Sequence, residues 1–111
     1  MIGKPGDTLI VVNWIANPFR AEKFLAAWLP SAAAVLHYGA TEWALLQSSE
    51  DPQKFDQFAA FANKTDWDRY WYSDEISDAR AQISGLFQVP LLPVWWTING
   101  AGAIVPEEVD A

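Results

Sequence analysis

The sequence predicts an α+β domain with the element order β-α-β-β-α-β, and three observations carry that expectation. Short β-branched or alternating runs are separated by segments with three-to-four apolar spacing. Each change of period coincides with turn or cap chemistry, such as Asn17-Pro18, Gly39 and Glu50-Asp51-Pro52. Apolar residues make up 51% of the chain and charged residues 19%, which suits a folded core and not a disordered tail.

Residues 8–16 (TLIVVNWIA) are nearly all apolar and read as a strand buried on both faces. Asn17 is then placed as a helix N-cap with Pro18 at the first helical position. Residues 19–38 follow with Phe24, Leu25, Trp28, Ala32, Val35 and Leu36 on one stripe. Pro30 should kink that helix or split it at Leu29, and Gly39 suits its C-terminal cap. Residues 41–49 read as a second strand. Residues 55–64 read as a third, with Phe55 and Phe61 on one face and Phe58 on the other. The same three-residue spacing is also compatible with a helix. A helix opens at Thr65-Asp66 and runs to about Phe87, with Ser73 able to cap a second segment. Pro90 and Pro93 bracket the start of a last strand, 92–98. The acidic end, 104–111, is expected to fray.

Four strands in this order form the split βαβ, ferredoxin-like arrangement: one antiparallel sheet with helices on one face. The whole chain, 1–111, is read as one domain, with a core of about 8–98 and a tail from 99. Strand alternation sends Asn13 and Trp14 to opposite faces, and likewise Trp95 and Trp96. The uncovered face is then apolar, so the chain is expected to form a homodimer through it. Seven tryptophans in so short a chain fit this two-faced sheet, or a pocket.

Fourteen acidic against seven basic side chains give a net charge of −7. That disfavours nucleic acid and anionic membranes as partners. With no cysteine and a single histidine, no metal site is expected. The acidic cluster Asp66, Asp68, Asp74, Glu75 and Asp78 reads as a solvated face. The uncharged stretches 24–41 and 81–106 are interrupted by proline and glycine, and are expected to be core elements and not membrane spans. No signal peptide is evident at the start, so the expected location is the cytoplasm.

Three stretches carry a resemblance to a known family: Gly39-Ala40-Thr41-Glu42-Trp43 before strand two, the run Trp67-Asp-Arg-Tyr-Trp71-Tyr-Ser73-Asp-Glu75, and Ala79-Arg80. Together with the element order, over about residues 8–98, they resemble the antibiotic biosynthesis monooxygenases, dimeric α+β barrel proteins. The resemblance implies a ligand pocket between helices and sheet, lined by aromatics. It also implies oxygenation of a small aromatic or polyketide-like substrate. The deprotonated substrate passes an electron to dioxygen, so neither metal nor flavin is required and no cofactor is expected. Asn63 and Trp67 would hold substrate and dioxygen, and Arg80 would stand where the family often has His.

Each of these residues has a second reading. Asn63 could instead cap the turn, and Trp67 could be core. Arg80 could stabilise an enolate or phenolate, or form an ion pair with Glu75 or Asp78. Tyr72 could polarise a substrate hydroxyl or lie at the rim. Asn13, if buried, needs a hydrogen-bond partner, which a ligand or a neighbouring loop could supply. Phe24, Trp28 and Trp71 would line the pocket or fill the core. His37 could serve as a general base, or place its charge at a helix C-terminus. The family's haem-degrading branch uses a strand-one Asn, a helical Trp and a helical His. Asn13 and Trp67 or Trp71 match the first two, but Ser77 or Arg80 occupies the stretch of the His, so haem ligation is not expected. The alternative to an enzyme is a non-catalytic dimeric binding or structural module of the same fold.

Overall fold

Strand β1 (Thr8–Ile15) lies in the middle of the sheet, and its inward Ile10, Val12 and Trp14 are large, apolar and fully buried. The computed structural model describes residues 3–103, so the acidic end at 104–111 lies outside the described residues. The order along the chain is β1, α1 (Ala21–Ala33), a 3-10 turn (Ala34–Tyr38), β2 (Ala40–Gln47), β3 (Lys54–Phe61), α2 (Lys64–Trp71), α3 (Asp74–Gln82) and β4 (Val94–Thr97). The strands form one antiparallel sheet in the order β2-β3-β1-β4, the ferredoxin-like arrangement expected. Residues 54–61 resolve as strand, with Phe55 and Phe61 facing inward and Phe58 outward.

The helix boundaries differ from the sequence expectation in three places. Asn17 does not cap α1. Its amide donates to the Gly85 carbonyl (2.6 Å), Phe19 takes a positive φ of 64°, and the helix begins only after Arg20. The side chain is spent on tying two loops together, so it cannot serve the helix. Pro30 does not split α1 at Leu29. It is exposed, as is Ala26, whose carbonyl loses its helical donor and can be hydrated instead. The helix runs on to Ala33, tightens into the 3-10 turn and ends at Gly39 with φ 100°. The left-handed conformation favours glycine there, and an added Cβ, 2.8 Å from an Asp66 carboxylate oxygen, would also push that carboxylate aside. The second helical stretch ends at Gln82, short of Phe87, and is divided at Ser73, the expected cap of a second segment. Asn63 caps α2, and Ser73 caps α3 by accepting from the Ile76 N–H (3.2 Å).

Strand β4 is shorter than residues 92–98. Pro93 has no N–H to donate, so the ladder starts at Val94. Before it, the chain pairs once with the far end of β1, where Gln88 N–H donates to the Ile15 carbonyl. No helix among the described residues is long and apolar enough to cross a membrane.

Candidate functional site

The space between helices and sheet, where the resemblance places a ligand, is occupied by the protein's own rings. Trp14 is the centre. Its ring lies 4.7 Å from Trp28, 5.2 Å from Phe24, 5.1 Å from Phe87 and 6.1 Å from Trp71, centroid to centroid. Trp14, Trp28, Trp67 and Tyr70 are each at most 1% exposed. An indole buried this way still needs an acceptor for its N–H. Gln57, an inward position of β3, supplies it twice: its Oε1 accepts from Trp14 Nε1 and from Trp28 Nε1, both at 3.0 Å. Its Nε2 donates to the Tyr70 hydroxyl (3.2 Å), which donates onward to the Ser31 carbonyl (2.7 Å). Burial pushes the Tyr70 phenol well above its ordinary value of 10, so it stays neutral and keeps its donor. Among the described residues no buried side-chain nitrogen or oxygen lacks a partner. The interior is closed sterically and satisfied chemically.

A second aromatic group involves three of the residues singled out by sequence. Trp67 stacks on Trp71 (5.1 Å, 19° between planes), and the Arg80 guanidinium lies over the other indole at 4.1 Å from the Trp71 ring centre. Arg80 Nη1 donates to the Trp71 carbonyl (2.7 Å), which the end of α2 leaves free. Partial burial lowers the guanidinium's pKa from its ordinary range, and the residue remains a cation at neutral pH. The ion pair with Glu75 or Asp78, one of the two readings of Arg80, gives way to this ring-and-carbonyl seat. Glu75 instead accepts from the Tyr38 hydroxyl (2.8 Å).

The remaining expected site residues are not gathered there. Asn63 is exposed and its Oδ1 accepts from Asp66 N–H at 3.0 Å, the geometry of an N-cap. Asn63→Ala should therefore cost about 1 kcal/mol while Asn63→Asp costs little, as thermal unfolding of the two variants will show. Tyr72 is 73% exposed, so its phenol does not enter the interior. It follows Trp71 directly, and a helix cannot turn both side chains the same way. Asn13 is not a buried amide: it is exposed on the uncovered sheet face, opposite in direction to Trp14. His37 is exposed in the last turn of the 3-10 segment. Phe24 and Trp28 are fully buried core residues. No group of three or more His, Asp or Glu side chains among the described residues is arranged to hold a metal.

Open space lies on the other side of the sheet. One hollow of about 280 Å³ is lined by Leu9, Glu42, Ala44, Leu46, Phe58 and Ala60, another of about 400 Å³ by Val11, Asn13, Val94 and Trp96 with Leu9 and Phe58. Around them Leu46, Val94 and Trp96 are 52%, 39% and 59% exposed. Sequence reasoning had split the tryptophans between two faces but had missed Gln57. Its signal was a lone amide in the inward register of β3, facing buried indoles that needed an acceptor.

Comparison with known proteins agrees with this architecture. No family model matches the chain and no curated protein matches its sequence. Among solved structures, a Nitrosomonas europaea protein named "Putative antibiotic biosynthesis monooxygenase" is similar, with TM-score 0.75, 16% identity, and 87% of this chain and 94% of that one covered. A Caulobacter crescentus protein of the same name gives 0.73 and 17%, covering 85% and 91%. A Deinococcus radiodurans protein, also so named, gives 0.74 and 13%, covering 89% and 99%. At such identity the likeness is one of backbone, and the chain has the ferredoxin-like α+β fold that these three structures share.

Proposed function

We propose that this chain works as a homodimeric binding or structural module, in which two sheets meet face to face and the helix-covered interior is a filled scaffold. One observation carries the reading: Trp14, Trp28 and Tyr70, clamped on Gln57, occupy the volume that a polyketide-like ring would need. Opening it would strip two indole N–H groups of their acceptor, at roughly 1–3 kcal/mol each. The uncovered face, by contrast, already presents apolar side chains to water.

A second reading, a cofactor-independent monooxygenase of a small aromatic substrate, is favoured by the Trp67–Trp71–Arg80 stack and by the names of the structural neighbours. There Arg80 would stabilise the substrate's enolate or phenolate, and Trp67 would have to swing out to admit the ring. Oxygen uptake separates the two. The module reading expects none above the uncatalysed rate with an anthrone or a panel of electron-rich phenols. Uptake by the wild type that falls in a folded Arg80→Ala variant would overturn it.

A further inference from the structure

We propose that the aromatic interior is a one-electron relay, which carries an oxidising equivalent from the buried indoles to Tyr38 and releases the accompanying proton to Glu75. The relay needs only one copy of the chain, so it stands or falls apart from the homodimer reading. Its rings form an unbroken line. Trp28 lies 4.7 Å from Trp14, Trp14 6.1 Å from Trp71, and Trp71 5.1 Å from Trp67, centroid to centroid. Tyr70 continues the line at 5.2 Å from Trp67, and Tyr38 ends it at 5.6 Å from Tyr70. Indole and phenol give up an electron readily, and the chain has no cysteine to compete with them. Rings this close exchange an electron by tunnelling, without any motion of the backbone.

The proton decides where the charge can rest. Trp14 and Trp28 donate their N–H groups to the Gln57 carbonyl oxygen, and an amide accepts a hydrogen bond without being a base. An indole cation there keeps its proton in an interior that stabilises charge poorly, so it remains a strong oxidant. Tyr70 donates to the Ser31 carbonyl, again no base, and burial holds its proton well beyond the ordinary phenol range, so this ring bridges and does not trap. The Arg80 cation over Trp71 repels a second positive charge, so the charge passes that indole without resting on it. Tyr38 differs: its hydroxyl donates to a Glu75 carboxylate oxygen at 2.8 Å. An electron leaves Tyr38 for the indole cation, which returns to neutral, and the phenolic proton passes to Glu75. The product is a neutral tyrosyl radical on a half-buried ring. The oxidant is a one-electron oxidising radical in solvent, of the carbonate class, reduced where Trp71 nears the surface at 7% exposure. A small thiolate then supplies an electron to Tyr38, leaving as a thiyl radical, and Glu75 returns the proton.

A near-ultraviolet laser flash, which ejects an electron from indole, tests this on the intact chain. Transient absorption should show indole radicals decaying as a tyrosyl radical grows, at a rate independent of protein concentration. Trp95 and Trp96, 44% and 59% exposed, are ionised too, so the measurement is repeated with both changed to Phe. Tyr38→Phe should lose most of the tyrosyl signal. Tyr72→Phe, which removes an exposed phenol next to Trp71 in sequence, should keep it. Glu75→Gln preserves a hydrogen-bond acceptor but not a base, and should slow tyrosyl growth by roughly tenfold or more. Unchanged circular dichroism will establish that the variants fold. In the wild type itself, photolysis with a nitroso spin trap followed by peptide mapping should place the adduct on Tyr38. No tyrosyl radical in the wild type, growth that scales with protein concentration, or a signal or adduct that belongs to Tyr72 would each overturn the relay. Growth in Glu75→Gln at the wild-type rate would overturn Glu75 as the proton acceptor.

Discussion

Gln57→Leu should lower the stability of the fold by about 3–5 kcal/mol, because it removes one acceptor shared by two buried donors. Leucine matches glutamine in size, so the loss is chemical. Trp14 Nε1 and Trp28 Nε1 are left without a partner, and the Tyr70 hydroxyl loses the Gln57 donor. Nothing nearby can replace the acceptor, since the surrounding side chains are chiefly aromatic rings. For a chain of this length the loss corresponds to a fall in Tm on the order of 15–20 °C. Urea unfolding and differential scanning calorimetry measure it. A loss below about 1 kcal/mol would mean that water reaches the indoles, and that the interior is not closed.

Tyr70 sets the second expectation, on pH. Its folded-state pKa is raised above 10 chiefly by burial, while the unfolded phenol titrates near its ordinary value. The unfolded state therefore loses a proton first. The stabilisation is fully present below pH 10 and declines as pH rises towards the folded value, by about 1.4 kcal/mol per unit. Other groups titrate in the same range, so the informative quantity is the difference between wild type and Tyr70→Phe. The variant should start about 1 kcal/mol less stable at neutral pH, having lost the bond to the Ser31 carbonyl, and should show a shallower alkaline decline. Parallel slopes would show that the phenol is open to solvent.

Much of the architecture was legible because hydrophobic period is a backbone property. The inward and outward sets of β1 and β3, and the division of Trp95 from Trp96, follow from alternation alone. Helix starts were less legible, since Asn17 and Asn63 are the same residue with opposite fates. One donates to a distant loop and the other caps its own helix, a choice made by tertiary neighbours. The candidate site was legible as a set of residues and misleading as a pocket. Trp67, Trp71 and Arg80 do come together, yet Trp67 stacks on Trp71 and the Arg80 guanidinium lies over that same indole. Asn13 has apolar neighbours in sequence, but the face it lies on is uncovered. Sequence pattern marks which residues share a face. It does not say whether a partner, a ligand or water covers that face.

Sedimentation equilibrium of the unmodified chain at micromolar concentration tests most directly where the open surface lies. A closed interior beside an exposed apolar sheet predicts a mass of about twice 12.4 kDa, falling towards one on dilution. A single species at the monomer mass throughout the micromolar range would contradict it.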